Sequence, residues 1–404
     1  MSTVETPSGA SAAPGPDSRA LTVSVVIPCL NEAESIAECV TRARTAMDGA
    51  GISGEVVVAD NGSTDGSPEL AEGAGARVIP EPRKGYGSAY LAGMGAARGD
   101  YIVMADADLT YDFAEIPAFV EPLEDGADLV MGSRLKGKIH PGAMPPLHRY
   151  VGNPILTGIL NLFFRTGVSD AHCGMRAFRR DLLPKLDLRT TGMEFASEHV
   201  IRSSKLGLDI REIPIEYHPR AGESKLSSFS DGWRHLRFLL VHSPTWLFVI
   251  PGAAMLLAGL VATLLVLGEV STFGERFHTL IAGAMLAIIG SQIIQLGLFS
   301  RTYAAYYLGE HDPLFDTWRE RLRLEHGLML GGLLTLAGLA CVVVVFGVWA
   351  SDGFGRLEQE KLLVVGATLL VLGIQTVFGA FFLSILGLRR RQPTQEEPGP
   401  MHPA

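Results

Sequence analysis

The sequence predicts an α/β domain with a mostly parallel sheet, followed by an all-α membrane domain of four transmembrane helices. Two observations support this prediction. Short apolar runs rich in β-branched residues alternate with helical patterns before residue 244, and four long runs without a charged side chain come after it. A chain of 404 residues is long enough to form both domains.

The expected domain boundaries follow changes in composition. The segment Met1–Arg19 is rich in Ser, Ala, Pro and Gly and lacks an apolar core, which is typical of a disordered leader and not of a secretory signal. We therefore expect a disordered leader at 1–20, the α/β domain at 21–228, an interfacial helix at 229–243, the membrane domain at 244–388 and a cytoplasmic tail at 389–404.

The strands of the α/β domain are predicted from runs that are apolar on both faces, as in a parallel sheet covered by helices. Between the first two runs, Ile36, Val40, Ala43 and Met47 recur at helical spacing, which indicates β-α-β units with right-handed crossovers. The five runs are Val23–Pro28, Glu55–Asp60, Ala76–Pro80, Tyr101–Asp106 and Asp128–Ser133.

The membrane helices are predicted from runs without Asp, Glu, Lys or Arg. Each run exceeds the roughly 20 residues that a helix needs to cross about 30 Å of hydrocarbon. The four runs are Pro244–Gly268, Thr279–Ser300, Gly327–Ser351 and Leu362–Leu388.

Arginine placement predicts the orientation of these helices. The connector after the second run contains Arg301, Arg319, Arg321 and Arg323, and the tail contains Arg389–Arg391. The other two connectors have only Arg276, Arg356 and Lys361. By the positive-inside rule, we expect a multi-pass protein of the cell membrane whose α/β domain and both termini are cytoplasmic.

Charge and cysteine content exclude some classes of protein. The net charge of −9 argues against a nucleic-acid partner. The four cysteines have no CxxC spacing, so neither a disulfide framework nor a cysteine zinc site is expected. His140, His148 and His172 are too scattered along the chain to predict a metal cluster.

Polar residues follow three of the predicted strands, in the stretches "PCLNE", "DNGSTDG" and "DADLTYD". Ligands of open α/β sheets bind beyond the carboxyl ends of the strands, so these stretches form the candidate site. Asp106 and Asp108 are separated by one residue and can face the same side of an extended segment. Buried carboxylates are costly unless a cation accompanies them, so the pair is either ordinary loop sequence or a metal site.

Taken together, these motifs resemble those of a known family. The PxxNE strand end, "DNGSTDGS", "KGYGSA" and the DxD at Asp106 are similar to inverting family 2 glycosyltransferases with the Rossmann-like GT-A fold. The stretches "GSR" (132–134), "DAHCGMRAF" (170–178) and "PRAGESKLS" (219–227) narrow the resemblance to polyprenyl-phosphate glycosyltransferases. That group contains dolichol-phosphate mannose synthases and bacterial membrane-anchored glucosyl relatives. The resemblance covers 23–244, and beyond it only the plan of attached membrane helices is shared.

The resemblance implies transfer of one sugar, with inversion, from a nucleotide-diphosphate sugar of the UDP-glucose or GDP-mannose type. The acceptor would be a polyprenyl or dolichyl phosphate at the cytoplasmic face of the membrane. Asp106 and Asp108 would hold Mg²⁺ or Mn²⁺ against the diphosphate. Related mannose synthases often carry Gln where this chain has Thr110, which leaves the third metal ligand open.

The resemblance also implies roles for individual residues. A lipid phosphate is already anionic, so it needs steering by fixed cations more than it needs a strong base. Asp170 lies where the membrane-anchored relatives carry an acidic residue near the reacting centre, and it could orient groups there rather than abstract a proton. The implied sets are Pro28, Asn31, Glu32, Asp60, Ser63, Lys84 and Asp106 for the nucleotide sugar, Arg134, Arg149, Arg220 and Lys225 for the lipid phosphate, and Asp108, Asp170 and Arg134 for catalysis.

Three further features have two interpretations each. The runs 153–164 and 229–244 read as interfacial helices that contact membrane lipid, or as core or oligomer contacts. Glu194 and Glu198 would lie near sugar hydroxyls or form a surface pair. The charged loop 308–327 has no predicted chemistry, and a homo-oligomer contact is one role open to it.

Two rival functions remain at this stage. A processive polysaccharide synthase would carry a QxxRW motif, which the sequence lacks, since "DGWRH" does not match it. A non-catalytic nucleotide-sensing scaffold would have no need of intact DxD, "GSR" and "GESKL" stretches. The four charge-free spans also argue against a coupled transport pathway.

Overall fold

The computed structural model describes residues 21–222, 228–269, 277–307 and 324–386. The chain divides into two compact units, Met1–Leu239 and Leu240–Ala404. The predicted leader at 1–20, the tail at 389–404, most of the loop at 308–327 and Lys225 lie outside the described residues.

The first unit contains a seven-stranded sheet, and all five predicted strands are present. Two further strands were missed by the sequence analysis. One has the sequence RAFR, with arginine at both ends, and the other, IREIPIEY, is polar at alternate positions and half-buried. The strands are β1 (Val23–Cys29), β2 (Gly54–Asp60), β3 (Arg77–Pro80), β4 (Tyr101–Met104), β5 (Leu129–Ile139), β6 (Arg176–Arg179) and β7 (Ile210–Tyr217).

Helices connect these strands and cover both faces of the sheet. The apolar run 153–164 is a helix over its whole predicted length, and the helix predicted at 229–243 is present. The helices are α1 (Ile36–Gly49), α2 (Ser67–Gly73), α3 (Tyr86–Ala96), α4 (Ile116–Glu124), α5 (Asn153–Phe164), α6 (Leu183–Leu186), α7 (Phe195–Lys205) and α8 (Ser228–Val241).

The strand order is β3-β2-β1-β4-β6-β5-β7. Strand β6 runs antiparallel to both of its neighbours, whereas all other neighbouring pairs are parallel. The prediction of a mostly parallel sheet is therefore confirmed, with one reversed strand. The chain moves outward from β1 to β3 and returns on the other side of β1 as β4, which creates a topological switch point at β1 and β4.

The core of the first unit lies on both faces of the sheet. Val25 and Ile27 of β1 pack in the cluster that contains Ile36 and Val40 of α1, whereas Val26 packs with Tyr90 on the opposite face. Because successive side chains of a strand point to opposite faces, a strand covered on both sides is apolar throughout. This is why the central strands could be recognised from continuous apolar runs.

The second unit consists of four helices that are long and apolar enough to cross a membrane. A π-helical turn, Thr245–Val249, precedes the first of them and belongs to the same apolar span. The helices are α9 (Ile250–Leu267), α10 (Phe277–Tyr307), α11 (Leu324–Ser351) and α12 (Glu360–Leu386).

Glycines allow these helices to pack closely in pairs. Gly252 and Gly259 of α9 face Gly283 and Gly290 of α10, and a Cβ added at Gly259 would lie 2.5 Å from the carbonyl oxygen of Gly283. The pair α11 and α12 repeats the arrangement with Gly331, Gly338, Gly366 and Gly373. A spacing of seven residues is two helical turns, so each helix presents its glycines on one face.

A single added side chain should therefore disrupt one helix pair. We expect Gly259→Val to destabilise the membrane unit by about 1–3 kcal/mol, the usual cost of overpacking a filled contact. The measurement is thermal unfolding of the purified protein in detergent. Gly332→Val is the matched control, because a Cβ at Gly332 meets no atom within 4 Å. Equal losses in both variants would contradict the packing argument.

Candidate functional site

The predicted polar residues collect at one edge of the sheet. Strands β1, β2 and β4 end there; Asp60 is the last residue of β2, and Asn31 and Asp108 lie in the loops after β1 and β4. Because β6 runs in the opposite direction, the segment that enters it, with Asp170, also lies at this edge. The topology thus brings together stretches that are far apart in sequence.

The loops after β1 and β2 are held to each other by the predicted side chains. The Asp60 carboxylate accepts hydrogen bonds from the amides of Gly62 and Ser63, both at 3.1 Å. The Ser63 hydroxyl accepts from the amide of Asn31 at 2.9 Å, and the Asn31 side-chain oxygen accepts from the amide of Thr64 at 2.8 Å. Asn31 has a φ of 51°, a left-handed conformation that asparagine tolerates. These contacts preorganise the two loops.

Pro28 and Glu32 lie at the same place. Pro28 is a residue of β1, half-buried and paired with Ala59 of β2. The amide of Glu32 donates to the Ser67 hydroxyl at 2.9 Å, which anchors the start of the next loop. Both residues are therefore placed at the predicted nucleotide side of the edge.

Asn61 is a site residue that the sequence analysis missed. It is buried, and its side-chain amide donates to the carbonyl oxygens of Glu81 and Arg83 while its oxygen accepts from Gly85 at 2.7 Å. The Lys84 ammonium is exposed and donates to the carbonyl of Asn61 at 2.7 Å. The place of Asn61 in "DNGSTDG" was a signal, but an asparagine in such a stretch usually reads as a turn residue.

The two glycines of "KGYGSA" allow another segment of the chain to lie close to their backbone, which the sequence analysis did not predict. A Cβ at Gly85 would collide with the carbonyl of Thr191, and one at Gly87 with the carbonyl of Thr190. The close neighbour of this backbone is thus the chain itself. Glu198 is buried and accepts hydrogen bonds from the amides of Arg189 and Thr190, so it is not a member of a surface pair.

Asp106 is held by two tyrosines. The hydroxyls of Tyr86 and Tyr90 donate to its Oδ1 at 2.9 and 3.2 Å. Its Oδ2 lies 2.7 Å from the place where a Cβ on Gly174 would be, so only glycine fits there. Burial and the charge of Asp108 raise the pKa of Asp106 to about 6, because two close carboxylates in a buried place resist ionisation together.

Asp108 is oriented by Thr110. The amide and the hydroxyl of Thr110 donate to Oδ1 of Asp108 at 3.1 and 2.6 Å. Thr110 therefore fixes the orientation of the Asp108 carboxylate. This is a structural role for the residue that stands where related mannose synthases often carry glutamine. The other oxygen, Oδ2, faces Arg220 at 3.4 Å.

Arg220 bridges two acidic residues from different loops. Its Nη1 is 3.4 Å from Asp108, and its Nη2 donates to Oε1 of Glu32 at 3.1 Å. Its Nε is buried and makes no hydrogen bond to any residue that the structure describes. The amide of Ala221 donates to the carbonyl of Asp108 at 3.0 Å, so the segment after β7 is also attached through its backbone.

Arg134 and Asp170 form a buried bidentate ion pair. Nε and Nη2 of Arg134 donate to the two Asp170 oxygens at 2.7 and 2.8 Å, and the guanidinium lies 5.2 Å from the ring centroid of Tyr217. Burial alone would raise the pKa of Asp170, but the charge and the hydrogen bonds of Arg134 together outweigh it and leave the pKa below its usual value. Asp170 is thus an anion that orients Arg134, and its role in the reaction stays a prediction.

A second buried arginine organises the loop that carries Asp170. Arg176 of β6 is fully buried and donates to the carbonyl oxygens of Ala171, Cys173 and Ala196 at 2.7–2.8 Å. The sequence analysis did not single it out. An arginine within a short strand gave no signal that it points inward.

The remaining predicted phosphate ligands are less well defined. Arg149 lies in a π-helical turn, His148–Gly152, with its guanidinium 5.3 Å from the ring centroid of Tyr150. Lys225 lies outside the described residues. The roles assigned to both stay predictions.

The chain matches known families over both units. It matches glycosyl transferase family 2 over residues 24–187 and the family 2 C-terminal transmembrane region over residues 298–387. The low-salt glycan biosynthesis hexosyltransferase Agl6 of Haloferax volcanii is 47% identical over 370 residues, covering 91% of this chain and 89% of that protein. The chain belongs to glycosyltransferase family 2. The resemblance inferred from the motifs is confirmed, and this glycosyltransferase is a membrane protein.

Two further similarities each cover about half of the chain. A dolichyl-phosphate hexose transferase of Haloferax volcanii is 37% identical over 212 residues, covering 52% of the glycosyltransferase and 89% of that relative. The solved structure of glucosyl-3-phosphoglycerate synthase from Mycobacterium tuberculosis with phosphoglyceric acid is 25% identical, with a TM-score of 0.46. The matched region covers 55% of this chain and 80% of the synthase chain.

Removing one partner of the buried ion pair should be costly to the glycosyltransferase. We expect Asp170→Asn to lower the free energy of unfolding by about 3–5 kcal/mol, because Arg134 is left buried without its counter-charge. The measurement is denaturant unfolding. The control is Asp181→Asn, which removes the partner of Arg179 at the surface and should cost about 0–1 kcal/mol.

The pH dependence of this effect has a definite sign. The pKa of Asp170 is lower in the folded state than in the unfolded state, so its stabilisation is fully present above about pH 4. It is lost as the pH falls through the lower, folded-state value. The stability difference between wild type and Asp170→Asn should therefore shrink in acid, and a difference independent of pH would contradict the ion-pair argument.

Proposed function

We propose that this glycosyltransferase moves a single hexose from a nucleotide-diphosphate sugar to a polyprenyl or dolichyl phosphate at the cytoplasmic face of the membrane. Two relatives, named a hexosyltransferase and a dolichyl-phosphate hexose transferase, support the sugar and acceptor classes. The observation that carries the proposal is the Arg220 bridge between Asp108 and Glu32 at the sheet edge. It places a guanidinium with an unused donor beside the DxD carboxylates.

The DxD residues fit a divalent cation. One oxygen of Asp108 is occupied by Thr110, and the other faces a positive group. Burial and then the charge of Asp108 raise the pKa of Asp106, and hard cations prefer such oxygen ligands. Mg²⁺ or Mn²⁺ held by Asp106 and Asp108 would supply Lewis-acid neutralisation of the diphosphate leaving group.

The loops after β1 and β2 form the proposed nucleotide side. The side chains of Asp60, Ser63 and Asn31 accept hydrogen bonds from backbone amides of these loops, so in the proposal they shape the pocket as well as line it. In the proposal Pro28, Glu32 and the exposed Lys84 contact the nucleotide sugar. The proposed donor is a nucleotide sugar of the UDP-glucose or GDP-mannose type.

Arg134 and Arg220 are proposed to bind the acceptor phosphate. Arg134 is fixed by Asp170 through Nε and Nη2, which leaves Nη1 for a phosphate oxygen. Arg220 has a buried Nε without a partner among the described residues. Arg149 and Lys225 complete the proposed set.

A single displacement follows from this chemistry. The acceptor phosphate oxygen is anionic at neutral pH and attacks the anomeric carbon directly. The new C–O bond forms on the face opposite the breaking bond to the diphosphate, so the configuration inverts. Asp170 is not needed as a base, because its oxygens already accept hydrogen bonds from Arg134 and the nucleophile carries no proton to remove.

The proposal is tested with purified membranes that contain the protein, a polyprenyl phosphate, Mg²⁺ or Mn²⁺, and a panel of radiolabelled UDP- and GDP-sugars. Butanol-extractable label from one donor is expected. Asp108→Asn should reduce it by at least about 100-fold, the usual cost of removing a group that stabilises developing charge.

Asp112→Asn is the matched control, because the Asp112 carboxylate caps a short helical turn through the amide of Ala114 and faces no other site residue described above. It should retain activity. Polymer made from the donor alone would instead indicate a processive synthase. Donor binding without any transfer would indicate a nucleotide sensor.

The proposed orientation is also testable. Asp352 is exposed in the connector between α11 and α12, which the arginine distribution places outside the cell. Asp352→Cys should react with a membrane-impermeant maleimide on intact cells. Glu72→Cys, exposed on α2 of the α/β unit, should react only after the cells are lysed. The reverse pattern would overturn the cytoplasmic assignment.

A further inference from the structure

Two histidines and a glutamate meet at the ends of β5 and β7, outside the site described above. His140 Nε2 lies 2.7 Å from Glu216 Oε2, and His218 Nε2 lies 3.9 Å from the same oxygen. One ligand atom from each of the three residues lies within 4.8 Å of the others. The side chains are between a quarter and half exposed, so ions can reach them.

The sheet geometry separates this cluster from the DxD residues. Strands β5 and β7 are parallel, Ile139 is paired with Tyr217, and the amide of His140 donates to the carbonyl of Tyr217. Glu216 and His218 flank Tyr217, so their side chains point to the face opposite its ring. The Tyr217 ring lies against Arg134, which puts the histidines on the other side of the strand.

A second carboxylate lies beside the cluster. Glu216 Oε1 is 3.9 Å from the Lys138 ammonium, which leaves Oε2 to the histidines. Glu115 Oε1 accepts a hydrogen bond from the amide of Glu216, while its Oε2 is buried without a hydrogen bond to any described residue. A cation bound at Glu216 would add positive charge beside both carboxylates.

We propose that His140, Glu216 and His218 bind a divalent transition-metal ion of the zinc class. Imidazole nitrogen with one carboxylate favours zinc over magnesium or calcium, and three protein ligands with one water is a common zinc arrangement. With bonds of about 2.0–2.1 Å, neighbouring ligand atoms are about 3.4 Å apart. Binding therefore needs a shift of about 1 Å and a turn of one imidazole out of the present ring stack, in which the centroids are 4.4 Å apart.

An ion bound at this cluster would affect the neighbouring segment that carries Arg220. The amide of His218 donates to the carbonyl of Thr110, and the amide of Ala221 donates to the carbonyl of Asp108. Arg220 lies between these two attachments. A metal ion that ties His218 and Glu216 to His140 fixes the start of this segment, and with it the guanidinium that faces Asp108.

The test uses the full-length, untagged protein in detergent, titrated with Zn²⁺ alone and with Co²⁺ as a spectroscopic probe. One Zn²⁺ per chain should bind, and Co²⁺ should show the visible absorption of tetrahedral nitrogen and oxygen coordination. His140→Ala, His218→Ala and Glu216→Gln should each weaken binding by more than the roughly 10- to 100-fold that loss of an outer hydrogen-bond partner costs. Zn²⁺ should also raise the unfolding temperature of wild type but not of these variants.

Two controls make the outcome specific. His148→Ala removes a histidine outside the cluster and should bind Zn²⁺ as wild type does. Asp108→Asn should also retain Zn²⁺, so the result does not depend on the proposed transferase chemistry. Zn²⁺ binding that survives His140→Ala but is lost in Asp108→Asn would overturn the proposal. The absence of tight Zn²⁺ binding and of tetrahedral Co²⁺ absorption in wild type would overturn it as well.

Discussion

The constraint on which the rest of the site depends is the neutralisation of buried carboxylates at one edge of the sheet. Asp106, Asp108 and Asp170 all lie there, and an unpaired buried carboxylate costs several kcal/mol. Arg134 neutralises the charge of Asp170 through two short hydrogen bonds. Arg220 Nη1 lies 3.4 Å from Asp108 Oδ2. Asp106 accepts hydrogen bonds from tyrosine hydroxyls and has no cation beside it among the described residues. The shortage of positive charge is thus concentrated at the DxD pair.

The reversed strand β6 is what makes this edge possible. In a wholly parallel sheet, the segment that enters a strand would lie at the opposite edge from the DxD loop. Because β6 is antiparallel, Asp170 and Gly174 arrive at the same edge, and Gly174 lies against Asp106. Arg176, at the start of β6, then holds the entering loop through the carbonyl oxygens of Ala171 and Cys173. One change of strand direction therefore supplies both an anchor for Arg134 and a wall for Asp106.

Many polar side chains of the site bind the protein's own backbone. The side chains of Asp60, Asn61, Asp108 and Glu198 each accept a hydrogen bond from a backbone amide of a loop at the sheet edge. Preorganised loops lower the entropy lost on binding and keep charged groups in place when a ligand arrives. Stability and function are consequently coupled in these residues, and a substitution among them affects loop geometry before it affects any ligand contact.

The features that follow from local periodicity could be predicted from the sequence. These are the strands β1 to β5, the helices at 153–164 and 229–243, the four apolar helices and the family, because apolar runs and short motifs leave local signals. The strands β6 and β7 could not be predicted, since β6 has arginine at both ends and β7 is polar at alternate positions. The pairing of polar side chains depended on the tertiary structure. Strand order joins Arg134 with Asp170, Arg220 with Asp108, and His140 with Glu216, and strand order has no signature in residue spacing.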